Sequence, residues 1–242
     1  MQRQDNNLNQ YIRRKTFFVG DTKLVIEDRV FTFMPWRSTR TLRIAGTNAY
    51  YSVIPLSPSQ HRLLCFTFCE DALAEKAPDF CRHALILGCG GGAVPRWLLE
   101  EYPSLQVDVV DRSPEIISVC KKYFLPQWEE SDRLVFHCTD AQDYKPPNYR
   151  YQFIFCDLFN GEQLAPFVYD RKFAEKLHHM ISEDGILIVN CGWHHLDDVQ
   201  EAYRPVFKYL QVIERKPWQT EVIQMSDSRF PSTPGPDPSS SC

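Results

Sequence analysis

Residues 84–93 read Ala84-Leu-Ile-Leu-Gly88-Cys-Gly90-Gly91-Gly92-Ala93. A short apolar run enters a turn that holds four of the chain's ten glycines. Beyond it, Val94 to Tyr102 carries helical spacing. A buried strand feeding a helix through glycines is the opening unit of a nucleotide-binding α/β sheet. Glycine lets the backbone turn sharply and approach a ligand with no Cβ in the way. By spacing alone, Gly88, Gly90 and Ala93 also fit the dinucleotide form Gly-x-Gly-x-x-Ala.

Downstream, the strand and helix signals alternate. Gln106–Val110 is a buried strand ending in Asp111, and Pro114–Phe124 is a helix with Ser113 as N-cap. Leu134–Cys138 is a strand running to Asp140, and Phe153–Cys156 is one ending in Asp157. Asp170–Ile181 is helical, Gly185–Cys191 is a strand, and Asp197–Tyr203 is a short helix. Val206–Glu214 and Gln219–Met225 lie too close together for an intervening helix, so they form a hairpin that makes one strand antiparallel. This alternation predicts an α/β fold with a Rossmann-like doubly wound sheet, whose apolar strands are covered by helices on both faces.

Upstream, His61–Lys76 reads as a helix. Thr16–Ile54 mixes β-branched and aromatic residues with charges and turn residues, giving a small antiparallel β region. Three zones follow: an N-terminal β region over 1–56, the sheet domain over 57–226, and a Pro- and Ser-rich disordered tail over 227–242.

Composition narrows the function classes. A net charge of −4 gives no global pull toward nucleic acid or anionic membrane. The basic runs Arg13-Arg14-Lys15 and Arg37, Arg40, Arg43 read as solvated faces. Neither a membrane span nor an apolar leader core is visible. Nine cysteines include no Cys-x-x-Cys pair, and several fall in buried strands. A reduced, cytoplasmic setting without metal is expected, and Cys65 with Cys69 lacks a second ligand pair.

Three carboxylates stand at consecutive strand ends after the glycine turn. In open α/β sheets, ligands lie beyond the carboxyl ends of the strands, so Gly88–Gly92, Asp111, Asp140 and Asp157 should meet at one cleft. Asp111, nineteen positions after Gly92, is placed to accept hydrogen bonds from the ribose of an adenosine ligand. His194 and His195 read as the start of a helix rather than as a base. Among the aromatics, Phe159 and Tyr169 are the candidates for lining the cleft, ahead of Tyr50, Tyr51 and Phe167.

Several stretches together resemble the spermidine synthase-like branch of class I S-adenosylmethionine-dependent transferases. They are Leu85–Gly92, Val107-Asp-Val-Val-Asp-Arg-Ser-Pro-Glu115, Thr139-Asp-Ala-Gln-Asp-Tyr144, Tyr151-Gln-Phe-Ile-Phe-Cys-Asp-Leu-Phe-Asn-Gly161 and Gly185-Ile-Leu-Ile-Val-Asn190. The resemblance spans about Tyr51 to Val212. It implies that Gly88, Cys89, Gly90 and Gly91 wrap the methionine part of S-adenosylmethionine or its decarboxylated form. Asp111 would hold the ribose, with Arg112 and Ser113 beside it. Asp140 and Ala141 would contact the adenine, Asp140 through the exocyclic amine. Asp157 would stand near the sulfonium and the reacting amine. From the chemistry of the cleft, Asp157 is the expected catalytic group that accepts or orients the amine's proton, with Asn160 orienting a small-molecule acceptor and Phe159 and Tyr169 lining its side. A homodimer is the expected assembly.

The chain departs from the aminopropyltransferases of that branch at two places. They carry Asp-x-x-Asp where this chain has Asp157 followed by Asn160. They also carry an Asp-Glu-x-x-Tyr-His-type segment where this chain has Ser57–Phe66. The missing acids would hold the cationic ends of a polyamine. The expected activity is therefore methyl transfer to a small, amine-type acceptor. The rivals are aminopropyl transfer, a non-catalytic nucleoside-binding protein and, on glycine spacing alone, an NAD-dependent oxidoreductase.

Overall fold

The computed structural model describes residues 10–32, 37–47, 50–56, 66–74, 76, 80–192, 195–215 and 220–230. Two sheets organise them. The first is an antiparallel meander of β1 (Gln10–Val19), β2 (Thr22–Phe31), β3 (Thr39–Ile44) and β4 (Tyr50–Pro55). Gly20, at φ 54°, supplies the left-handed residue in the tight β1–β2 turn.

The second sheet holds β5 (His83–Leu87), β6 (Gln106–Asp111), β7 (Leu134–Cys138), β8 (Tyr151–Cys156), β11 (Ile181–Gly192), β12 (Tyr209–Arg215) and β13 (Thr220–Ser226). Its order is β12-β13-β11-β8-β5-β6-β7. The five strands from β11 to β7 run parallel, and β13 enters antiparallel between β11 and β12. The predicted closing hairpin is present, with Leu210 opposite Met225 and Val212 opposite Ile223.

Helices α1 (Thr67–Leu73), α2 (Ala93–Glu101), α3 (Pro114–Val119), α4 (Arg171–Met180) and α5 (Leu196–Tyr203) cover the faces. The two-residue pleat of β5 divides the core. Ala84 and Ile86 pack with α2, α3 and the first sheet, while Leu85 and Leu87 pack with α4 and α5. All four are at most 1% exposed, which is why this strand is an uninterrupted apolar run.

Several boundaries differ from the sequence reading. The helix expected over 61–76 is observed only as Thr67–Leu73, and residues 61–65 lie outside the described ones. The Pro114–Phe124 helix keeps its Ser113 cap, whose Oγ accepts from Ile116 N at 3.2 Å. It then widens into a π-helical turn, Cys120–Phe124, closed by Leu125 N donating to Cys120 O. Cys120 Sγ and Leu125 occupy the space a Cβ on Gly92 would need, 2.7 and 2.8 Å from it, so the helix docks directly on the glycine turn. β12 starts at Tyr209 rather than Val206, because Val206 and Phe207 still donate backbone hydrogen bonds to Tyr203 at the end of α5. Between β8 and α4, the small hairpin of β9 (Phe159–Asn160) and β10 (Gln163–Leu164) turns at Gly161, φ 65°, and carries no clear sequence signal. Of the tail expected over 227–242, residues 231–242 lie outside the described residues, as does His194, while Asp227 is tied to His178 and to Lys208 N at 2.7 and 3.1 Å.

Arg14, Arg40 and Arg43 of the basic runs are paired. Arg14, Arg29 and Arg43 converge on Glu27 at 2.7, 3.4 and 3.5 Å. Burial pushes the Glu27 carboxyl up, but the three guanidiniums overrule it and hold it below the usual range. Arg40 binds both oxygens of Asp28, at 2.6 and 2.7 Å, and donates to Tyr123 O, joining the first sheet to the π-helical turn. Arg96 Nη1 makes a second joint by donating to Pro55 O at 3.0 Å. Among the described residues no helix is long and apolar enough to cross a membrane.

Candidate cofactor and acceptor site

The glycine turn sits at the carboxyl end of β5, in the middle of the sheet. β8 flanks it on one side and β6 on the other. Gly88, Gly90 and Gly92 all have positive φ, at 94°, 48° and 66°. The glycines do more than clear a path to a ligand. A Cβ on Gly88 would stand 2.2 Å from Asp157 O, and one on Gly91 2.5 Å from Ser52 Cβ. The loop is thus wedged between the end of β8 and strand β4, and only glycine fits either contact. Cys89, 4% exposed, points inward, and burial raises its thiol far above the ordinary value.

Asp111 ends β6 and clasps this loop. Its Oδ2 accepts from Cys89 N and its Oδ1 from Ser113 N, both at 2.9 Å. Burial raises its pKa, against the lowering effect of those two backbone donors and of Arg112. A carboxylate oxygen has two lone pairs, so each oxygen keeps one for a further donor such as a ribose hydroxyl. Ser113 Oγ also donates to Glu115 at 2.8 Å.

Asp140 lies two residues past the end of β7, in the next loop along the same edge. Its Oδ1 accepts from Gln142 N at 2.8 Å, and its carbonyl accepts from Asp143 N and Tyr144 N. Ala141 beside it is buried, and its carbonyl accepts from Lys176 Nζ of α4 at 3.1 Å.

Asp157 follows β8, and its N–H donates to Leu87 O at 2.8 Å. Asn190, near the end of β11 and 7% exposed, donates from Nδ2 to Asp157 Oδ1 at 2.8 Å. The other end of that amide is fixed because Gly192 N donates to Asn190 Oδ1 at 3.1 Å. Burial lifts the Asp157 carboxyl to about 6, against the lowering effect of the Asn190 hydrogen bond. The sequence reading gave Asn190 no role. Its one signal is a buried amide closing an otherwise apolar strand.

The predicted acceptor residues divide. Asn160 Oδ1 accepts a hydrogen bond from Arg112 Nη2, so its carbonyl is engaged with the β6 end rather than left open. Arg112 follows β6 and Asn160 follows β8, and β5 lies between, so this contact bridges across the glycine turn. The Phe159 ring packs over Gly192, where an added Cβ would come within 3.1 Å of it. Tyr169 stacks on His195, with centroids 5.4 Å apart and planes 14° apart. His195 immediately precedes α5, in line with the helix-start reading, and its Nδ1 lies 3.4 Å from Asp198. Phe167 packs edge-on against Phe173. The side chains of Tyr50 and Tyr51 lie outside the described residues.

A separate cavity of about 650 Å³ lies at the opposite edge, lined by Arg150, His178, Phe207, Lys208 and Asp227 among others. It borders the amino-terminal ends of the parallel strands, away from the carboxylates. Ligands of open α/β sheets bind at the other edge.

Strand order, antiparallel penultimate strand and a glycine turn clasped by the next strand's acid define the Rossmann-like class of nucleoside-binding transferase folds. Within that class, the chain belongs to the spermine/spermidine synthase domain family, whose model matches residues 72–220. This match outweighs the dinucleotide reading of Gly88, Gly90 and Ala93.

Among relatives, a polyamine aminopropyltransferase of Vibrio vulnificus is 34% identical over 129 residues, 51% of this chain and 42% of that protein. An eEF1A lysine and N-terminal methyltransferase of Mus musculus is 27% identical over 119 residues, 44% of this chain and 16% of that protein. The chain therefore spans less than half the length of either curated relative. Among solved structures, a probable spermidine synthase from Corynebacterium glutamicum superposes with a TM-score of 0.72 at 20% identity, covering 92% of this chain and 83% of that one. Human methyltransferase-like protein 13 in complex with SAH gives 0.58 at 22%, covering 67% and 82%. At these identities the structural likeness is one of fold.

Proposed function

We propose that the chain is an S-adenosylmethionine-dependent transferase of methyltransferase type, acting on a small amine acceptor. One observation carries the reading. The Asp111 clasp on the glycine turn and the Asn190-held carboxylate of Asp157 stand at the ends of β6 and β8, on either side of β5. The donor set suits a nucleoside sulfonium, with a glycine turn of positive-φ residues, a strand-end acid with spare lone pairs, and a partly buried carboxylate close by.

Gly88 to Gly91 would line the methionine arm and Asp111 would take the ribose hydroxyls. Arg112 and Ser113 flank that position, and Asp140 with Ala141 would take the adenine. The bound sulfonium supplies an electrophilic methyl carbon, so no further activation of the donor is needed. The protein must deliver an unprotonated nucleophile in line at about 3–3.5 Å. Asp157 is suited to orient the amine and accept the proton it loses. With such a donor bound, the amine's lone pair would form the new bond to carbon as the carbon–sulfur bond broke with its electrons left on sulfur, and Asp157 would hold the displaced proton. Phe159 and Tyr169 would wall the acceptor side.

A second reading, aminopropyl transfer from decarboxylated S-adenosylmethionine, is favoured by the identity to the Vibrio enzyme. Against it stands the acceptor side. Asn160 replaces a second acid, and Arg112 places a cation on that very side chain. A polyamine with a positive charge at each end meets one carboxylate and one guanidinium there. The lysine-methylating relatives are consistent with an amine acceptor at such a site.

Isothermal titration with both cofactors tests the choice. Tighter binding of S-adenosylmethionine is expected. Tighter binding of the decarboxylated form would move the assignment to aminopropyl transfer, and binding of neither would remove both. Cofactor binding with no transfer to any amine would leave a nucleoside-binding protein. The division into a β region over 1–56 and a transferase domain over 57–226 is part of the same proposal, as is a homodimer.

A further inference from the structure

Asp108 sits in the middle of β6, three residues before Asp111, and is 5% exposed. A buried carboxylate is costly unless its oxygens are hydrogen-bonded. Here both are hydrogen-bonded. Oδ1 lies 2.6 Å from His137 Nε2, and Oδ2 accepts from the hydroxyls of Tyr149 and Tyr151, each at 2.8 Å. The Tyr144 hydroxyl lies 2.7 Å from that of Tyr151. Since Tyr151 gives its proton to Asp108, Tyr144 donates to Tyr151, and a relay runs Tyr144 to Tyr151 to Asp108. Tyr149 is braced from below by the His83 ring, stacked at 3.8 Å.

Two of these donors have a particular place in the chain. His137 is in the last turn of the pleat of β7, and Tyr144 closes the Asp140 turn through its own N–H. They bracket residues 138–143, the loop that carries Asp140 and Ala141. Both ends of that loop are therefore tied to one carboxylate on the neighbouring strand, and Lys176 holds its middle through the carbonyls of Ala141 and Gln142.

We propose that Asp108, acting through His137 and the Tyr151–Tyr144 relay, is a positioning residue that sets loop 138–143 for reading the nucleobase of the cofactor. The inference rests on the adenosine-binding reading above. It adds that base discrimination is decided by a buried node that itself touches no ligand. A loop fixed at both ends presents Asp140 at one position, and a loop freed at one end presents an ensemble.

The test is calorimetric titration of the full chain with S-adenosylhomocysteine and with its inosine counterpart, in which a carbonyl replaces the exocyclic amine. The wild type should prefer the adenosine form. Tyr144→Phe removes only the hydroxyl that ties the far end of the loop, and Asp108→Leu removes the node. Each should weaken S-adenosylhomocysteine by about tenfold, the scale of one well-placed hydrogen bond, and abolish most of the preference over the inosine form. A general loss of stability would weaken both ligands alike and leave their ratio unchanged. Should Asp108→Leu not fold, Tyr144→Phe decides alone. If Tyr144→Phe keeps the wild-type ratio and affinity, the positioning role is wrong while the adenosine reading stands. If the wild type binds neither ligand, the adenosine reading fails first.

Discussion

The ionisation of Asp157 is set by burial and by one neighbour acting in opposite directions. Burial raises its pKa to about 6 from an ordinary 3.8, and the Asn190 amide opposes that rise. A group whose pKa is higher folded than unfolded binds more protons in the folded state between those two values. The stability it contributes therefore falls as pH rises from 3.8 to about 6 and is constant above. Asp157→Asn should flatten that part of the stability–pH curve, as urea unfolding followed between pH 4 and 7 would show. The same substitution should cut methyl-transfer turnover by about 100-fold or more while leaving S-adenosylmethionine affinity within a few-fold. Full turnover would remove the catalytic role. Wild-type activity should rise with pH through about 6, because the carboxylate form is the one that orients an amine. Asn190→Ala removes the interaction that lowers the pKa, so the acid limb of the rate profile should move to higher pH. Asp157 was legible as a strand-end acid. Asn190 was not, because nothing local says that two side chains 33 positions apart share a hydrogen bond.

The glycine turn is as much a packing element as a binding one. Gly91 lies against Ser52 of β4, and a methyl group there would stand 2.5 Å from Ser52 Cβ and 3.1 Å from Phe124. Gly91→Ala should destabilise the protein by about 1–3 kcal/mol, the usual cost of overpacking. Ser52→Gly in the same chain should recover part of that, which a double-mutant cycle in denaturant would reveal. Strict additivity of the two changes would show that β4 does not press on the loop. The strand–turn–helix unit itself was plain in the sequence, since apolar periodicity and glycine spacing are local signals. The partner of each glycine was not. The π-helical turn after Val119, which sets Cys120 and Leu125 against Gly92, is likewise invisible locally.

At the scale of the whole molecule, the two sheets share a hydrophobic core and are joined further by charged side chains that bind backbone. Arg40 holds Asp28 and Tyr123 O together, and Asp28 in turn raises the guanidinium's pKa. Arg40→Ala should cost about 2 kcal/mol by stripping charged hydrogen bonds from partly buried partners, and lower the melting temperature by a few degrees. An unchanged melting curve would mean that the joint contributes nothing. The sequence had offered this arginine only as one of a basic run. What the amino-acid order settles by itself is the alternation of apolar strands and amphipathic helices, the glycine turn, and the acids at successive strand ends. These follow from periodicities of two and 3.6 residues and from the conformational freedom of glycine, all of which act over a few neighbours. Folding in three dimensions decided the rest: that Asp111 spends a lone pair on Cys89 N of the glycine loop, that Arg112 reaches Asn160 across β5, and that a carboxylate in the middle of a buried strand gathers three phenols and an imidazole. Each of those depends on residues far apart in the chain, whose meeting is fixed by strand order and register.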